Sequence, residues 1–364
     1  RASEIRCPPG RDWNHHIPIE LKLTTDMTAK PVVKLVERLG FPFKTESPFL
    51  FAVYHKDFYP KGDIKMQAPR RGNGADFDWS QDYRMYHGER IPGFPQHPHR
   101  GFETITCTME GMCDHTDSLG NAGRYGGGDL QWMTAGKGIV HGEMFPLINM
   151  DAPNTLRLFQ VWINLPAKSK MVEPASLMHW AEKIPAFTHD ESRAKVTVWA
   201  GELMGRTALR PPRDSWASDP KHEVALWLIE LSPGGKFTIP PAAGGEAINR
   251  NVYFFEGEKL LVAGRSIPPS HRAKLSAGEE ALLENTTAST CSILLMQGMP
   301  IEEPVAQHGP FVMNTTEEIQ QAFMDYRSTQ FGGWPWDNYA PVFPRDKGRF
   351  ALTGGKEEQP GEGQ

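Results

Sequence analysis

The sequence predicts an all-β protein of two tandem β-barrels, ending in a short C-terminal helix and a tail. Three observations carry that expectation. The 35 glycines and 31 prolines are spread along the 364 residues rather than bunched, so turn signals recur about every 8–12 residues, as in sandwiches and barrels. The segments between them are short, apolar or alternating, and rich in β-branched and aromatic residues. Finally, the two halves repeat one theme at a spacing of about 150 residues, which suggests two copies of a single barrel.

Taken in order, residues 1–30 form an N-terminal arm. The first barrel, 31–172, contains "FLFAVYH" at 49–55, "ETITCTMEG" at 103–111 and "LRLFQVWINL" at 156–165. A long irregular insertion, 65–93, interrupts it just ahead of a histidine-rich stretch, and loops of that length are commonly functional or disordered. The segment "PAKSKMVEPASLMHWAEKIP" is polar and proline-flanked, as a linker should be. The second barrel, 186–314, follows "KVTVWAG" at 195–201 with "VALWLIEL", "NVYFFEG", "KLLVAG" and "CSILLMQG". Each half shows a strand, an "E-G" turn ("MEGMC", "FEGEKL"), a glycine-acid element and another apolar run. In 315–364, Thr315 and Glu318 make a capping box, with Ile319, Phe323 and Tyr326 on one helical face. The closing "GGKEEQPGEGQ" is charged and glycine-rich, and is expected to be disordered.

The net charge of −5 argues against a basic footprint for direct nucleic-acid contact. No run of 18 apolar residues is present, so no membrane helix is expected. Four cysteines (Cys7, Cys107, Cys113, Cys291) without CxxC spacing fit a reducing compartment rather than a zinc ribbon or disulfide framework. The expected localisation is cytoplasmic, with nucleus or organelle left open because the chain opens on Arg1.

The chemistry concentrates in two stretches. In "HPHRGFETIT", 97–106, His97 and His99 are two apart, so an extended backbone aims both imidazoles to one side, and Pro98 keeps His97 extended. That is a two-nitrogen jaw for a divalent metal, although a lone HxH is weak evidence. In "GGGDLQWMTAGKGIVHGEMFP", 126–146, His141 and Glu143 repeat the spacing after the turn glycines Gly136 and Gly138. On antiparallel strands of one barrel, the two pairs would meet across the interior and offer three nitrogens and one carboxylate oxygen. Such a set leaves two positions open on an octahedral ion and suits Fe2+ and other first-row divalent metals. A structural zinc site would be closed and tetrahedral.

"HPHRGFETIT…MEG…DSLGNAGRYGGGDLQWMTAGKGIVHGEM" resembles the signature of the pirin family, bicupins of the cupin superfamily. The likeness extends through "KMVEPAS", "VAQHGPFVMNTTEEIQQAFMDYR" and "FGGWPWDNYAPVF", roughly residues 30–350. It implies two cupin (jelly-roll-like) barrels, the first metal-binding and the second metal-free. The ligands it implies are His97, His99, His141 and Glu143, because in pirins the carboxylate comes from the second motif; Glu103 then stands behind the ligands. Against general cupin patterns, Thr134 replaces the usual proline and two extra residues precede His141. The insertion and the N-terminal stretch depart from pirins themselves. The second half has no HxH, and His222, His271 and His308 read as surface or hydrogen-bonding histidines.

The resemblance implies iron binding and quercetin 2,3-dioxygenase chemistry on a flavonol or related phenolic with O₂. Glu143 would be both ligand and catalytic base, and Arg100 would steady an anionic substrate or pair with Glu103, or else hold its loop by a salt bridge. Trp132 and Trp162 read as barrel core ahead of substrate stacking. An alternative is a metal- and redox-dependent protein-interaction module, a transcriptional co-regulator with a protein partner. A third is a different oxygenase or isomerase, since cupin barrels host many reactions.

Overall fold

The computed structural model describes residues 31–71 and 80–361; the N-terminal arm, Cys7 and the centre of the insertion lie outside them. Strands β1 (Val33–Arg38) and β2 (Phe49–Tyr59) come first. Then follow β3 (Gly93–His99), β4 (Phe102–Glu110), β5 (Met112–Asp117), β6 (Ala122–Gly126), β7 (Leu130–Thr134), β8 (Ile139–Met144), β9 (Asn154–Asn164) and β10 (Ala175–His179). The second half brings β11 (Ala186–His189), β12 (Ala194–Ala200) and a small hairpin, β13 (Glu202–Leu203) with β14 (Arg206–Thr207). Next are β15 (Ala225–Leu231), β16 (Lys236–Ile239), β17 (Asn249–Glu256), β18 (Leu260–Val262), β19 (Arg265–Ile267), β20 (His271–Leu275), β21 (Ala281–Asn285) and β22 (Cys291–Gly298). A hairpin of β23 (Ala306–His308) and β24 (Phe311–Met313), helix α1 (Thr316–Thr329), and a hairpin of β25 (Phe350–Thr353) and β26 (Lys356–Glu358) complete the chain.

Each half is a barrel of two antiparallel sheets. The first pairs the order β10-β7-β4-β9-β2 with β26-β25-β6-β5-β8-β3. The second pairs β1-β20-β17-β22-β15-β12-β11 with β16-β21-β18-β19. The continuous apolar character of "VALWLIEL" follows from burial on both faces. Ala225, Trp227, Ile229 and Leu231 pack in the second barrel's own core. Leu226 and Leu228 join Ile105, Cys107, Phe159, Val161 and Ile163 in a separate core between the barrels. Strands β4 and β9 thus spend one face on the inter-barrel contact. The other face of each, with Thr106 on β4 and Gln160 and Trp162 on β9, is turned to a cavity inside the first barrel.

Several sequence expectations change in detail. β1 pairs with β20, so Val33–Arg38 is an edge strand of the second barrel although it precedes the first. Within the presumed linker, β10 pairs with β7 and Lys170 is buried, its Nζ donating to Gly101 O, Asn164 Oδ1 and Val312 O. The tail expected to be disordered instead folds back: β25 pairs with β6, and Gly354-Gly355, both at positive φ, turn the chain into β26. A Gly-Gly pair at that point is a two-residue hairpin signal. In the insertion, Tyr83, Met85 and Tyr86 are buried, and Arg84 and Asp57 form a buried ion pair. Helix α1 has the capping box on Thr315 and Glu318, and it lays Ile319 and Ala322 against Phe311 and Met313. Cys107, Cys113 and Cys291 are buried free thiols. No helix among the described residues is long and apolar enough to cross a membrane.

Candidate metal centre

Antiparallel pairing of β3 with β8 sets the site. The register puts His97 opposite His141 and Phe94 opposite Glu143, with an irregularity at 95–96 between them. Because His97 and His99 are two apart on one strand, their rings lie on the same side, with centroids 4.8 Å apart. His141 closes the triangle at 4.4 Å from His97 and 4.9 Å from His99. One nitrogen from each of the three falls within 4.8 Å of the others, a cluster able to hold a metal ion.

The protonation chemistry fits a cation. Burial pulls the pKa of His97 down and those of His99 and His141 well down, so all three imidazoles are neutral and present lone pairs. His97 turns Nδ1 to the carbonyl of Pro95 at 2.8 Å, which assigns the proton to Nδ1 and leaves Nε2 for the cluster. His99 Nδ1 and both nitrogens of His141 are buried without a hydrogen-bond partner. Buried polar atoms left unsatisfied are costly, and a metal would satisfy one nitrogen of each ring.

Glu143 lies on the same cavity wall but outside the three-nitrogen cluster. Its Oε1 accepts from Thr106 Oγ1 at 2.8 Å, and Tyr125 Oη is 3.4 Å away. Oε2 accepts no hydrogen bond from any described residue. Thr106 Oγ1 also lies 2.8 Å from Gln160 Oε1, so carboxylate, hydroxyl and amide form one chain.

Of the roles open to it, Arg100 takes the salt bridge that holds its loop. Its guanidinium donates to Asp325 on α1 at 2.7 Å and to the carbonyl of Lys137, and lies over the ring of Phe331. It therefore ties the loop after β3 to the C-terminal helix and does not meet Glu103. Glu103 is fully buried and accepts from Thr134 and Ser215. Of the tryptophans, Trp132 belongs to the inter-barrel core, whereas Trp162 lines the metal-side cavity.

That cavity has a volume of about 300 Å³ and is walled chiefly by aromatic and aliphatic groups, among them Phe41, Phe51, Phe94, Leu158 and Trp162. Met85 from the insertion and Pro310 from the β23–β24 turn complete its rim. Sequence reasoning missed His55, which lines the cavity and is held neutral by burial, its pKa pulled down to about 3. It also missed His115, 5.5 Å from His141 and 3.3 Å from Asp117. Both could have been found by strand parity, since His55 alternates with Val53 on β2 and His115 stands opposite Glu143 in the β5–β8 register.

Two barrels in one chain, with a histidine cluster on adjacent paired strands of the first, define a bicupin. The family model described as Pirin matches residues 66–163, and that of the Pirin C-terminal cupin domain matches 226–332. The chain is 38% identical to Pirin of Homo sapiens over 255 residues, covering 68% of this chain and 80% of that one. It is 37% identical to a Vibrio cholerae protein named "Putative quercetin 2,3-dioxygenase" over 243 residues, covering 66% and 80% respectively. A crystal structure of quercetin 2,3-dioxygenase from Acinetobacter baumannii superposes with a TM-score of 0.63 at 28% identity, covering 79% of this chain and 87% of that one. The chain belongs to the pirin family.

Proposed function

We propose that this pirin is a metal-dependent dioxygenase of the quercetinase type, with Fe2+ held by His97, His99, His141 and Glu143 and a flavonol or related phenolic as substrate. The observation that carries this reading is the convergence of three neutral imidazoles, two buried and His97 half-buried, on a wall of an aromatic-lined cavity. A cavity of about 300 Å³ lies at the small end of ligand pockets, and it suits a flat, mostly apolar guest with a few hydroxyls. The names of the Vibrio and Acinetobacter relatives point the same way.

Iron(II) in the site supplies a Lewis acid and a redox partner for substrate and O₂. The chain's own groups bind and orient. Phe51, Phe94 and Trp162 offer ring faces to the substrate and keep water from the reacting carbon skeleton. Glu143 would accept the phenolic proton. Once protonated on Oε1, it donates to Thr106 Oγ1, whose own hydrogen then goes to Gln160 Oε1, so every oxygen of that chain has a partner. Arg100, anchored to Asp325, holds the rim of the cavity.

The test has two stages. Metal analysis of freshly purified protein beside His97→Ala should give near-stoichiometric iron in the wild type and a loss in the variant. With quercetin in air, the loaded wild type should take up O₂ as the flavonol absorbance falls. Metal-loaded protein that consumes neither O₂ nor flavonol refutes the assignment.

A further inference from the structure

The second barrel has a cavity of its own, of about 820 Å³, opening between β17, β22 and the loops around residues 208–223. Its origin lies in strand alternation. Inward positions on β17 are Arg250, Val252 and Phe254, and those on β22 are Gln297, Leu295 and Ile293; the four apolar side chains among them pack in the barrel core. Arg250 and Gln297 are direct cross-strand partners at the open end. Each barrel therefore carries polar side chains on an inward-facing strand pair.

Arg250 is only 1% exposed and lines the cavity. Its Nε donates to Gln297 Oε1 at 2.7 Å and its Nη1 to the carbonyl of Glu279 at 3.3 Å. Both acceptors are neutral. Nη2 bonds to no described residue, and no carboxylate among the described residues lies within ion-pairing distance of the guanidinium. Buried cations are ordinarily paired. The acid whose charge bears on it, Glu223, turns its oxygens to the backbone N–H groups of Ala243 and Gly244. Asp219 caps the turn at Lys221, and Arg213 at the rim pairs with Asp214. In the same cavity Trp227 presents a buried indole whose Nε1 has no partner among the described residues, and Leu209 and Pro240 extend the apolar wall.

We propose that this cavity is a second ligand site, which takes a small organic carboxylate with an apolar body. The free edge of the Arg250 fork grips the carboxylate oxygens, and Trp227, Leu209 and Pro240 pack the hydrocarbon part. The site is independent of the metal centre in the other barrel, so the metal-site reading can fail while this one stands.

The test uses benzoate as probe, benzamide as its uncharged isostere and inorganic phosphate as an anion without an apolar body. Calorimetric titration and tryptophan fluorescence are run on the full chain, wild type, Arg250→Met, Arg250→Lys and His97→Ala. Benzoate should bind wild type and His97→Ala alike, and at least about tenfold more tightly than benzamide or phosphate. Affinity should fall at least about tenfold in Arg250→Lys, which offers a point charge in place of a fork, and vanish in Arg250→Met. Benzoate should also raise the wild-type Tm but not that of Arg250→Met. Melting without ligand shows whether Arg250→Met is folded; if it is not, the Arg250→Lys comparison decides. Absence of benzoate binding to wild type, undiminished binding to either Arg250 variant, equal binding of benzamide, or loss of binding in His97→Ala overturns the proposal.

Discussion

Replacing Glu103 by Gln tests how the first barrel treats a carboxyl sealed at its junction with the second. Glu103 is 0% exposed, and burial pushes its pKa up to about 7 against the hydrogen bonds from Ser215 and Thr134, which favour the charged form. The folded protein therefore holds a proton that the unfolded chain releases near its ordinary 4.5. Between those values the native state binds more protons, so stability falls as pH rises. The contribution is at its full value below pH 4.5 and gone once pH passes about 7. At 1.36 kcal/mol per pKa unit, the interval amounts to roughly 3 kcal/mol. Gln mimics the protonated acid: its carbonyl accepts from Thr134 while its NH₂ donates to Ser215, and it does not titrate. Urea unfolding of wild type and Glu103→Gln at pH 4.5 and pH 8 isolates the effect, because all other titrating groups cancel in the difference. The variant should gain about 3 kcal/mol on the wild type between the two pH values. A difference that stays constant within about 0.5 kcal/mol, or that moves the other way, refutes the reasoning.

Two further outcomes follow from the same structure. Arg124 is buried, forks onto both oxygens of Asp114 at 2.6 and 2.8 Å, and also donates to the carbonyls of Phe343, Pro344 and Lys347. Arg124→Met leaves the Asp114 carboxylate buried without its cation and should cost about 3–5 kcal/mol in urea unfolding, with faster proteolysis after Phe343; unchanged stability would contradict this. Thr106→Val removes the donor to Glu143 but none of the three imidazoles, so metal content should persist while flavonol turnover drops about 10–100-fold. Loss of metal together with activity would show that Thr106 organises the ligands rather than the proton chain.

Strand alternation and turn residues made the barrels legible, because β15 reads as a nearly unbroken apolar run while β4 and β9 alternate between an apolar inter-barrel face and a more polar face turned to the cavity. The histidine cluster was legible for a simpler reason. Two i, i+2 pairs on antiparallel strands need only the right register to meet, and His97 opposite His141 provides it. Glu143 was harder, since spacing places it on the wall but cannot say that Thr106 and Tyr125 hold one of its oxygens. For Arg100 a loop-holding salt bridge was legible as one alternative but its partner was not, because Asp325 lies 225 residues away on a helix whose docking is invisible in local pattern. The same holds for β1 and β25. Edge strands of three to six residues carry a weak local signal, and only the open edges of β20 and β6 select their partners.

Those two edge strands cross over. The segment before the first barrel completes the sheet of the second, and the segment after the second extends the sheet of the first. A nick in the connection between β10 and β11 would consequently yield fragments that each retain a strand of the other's sheet, so they should co-elute under native conditions and part only in denaturant. Neither half can be excised as a free-standing unit without exposing a raw sheet margin, which binds the fates of the two pockets together in one polypeptide.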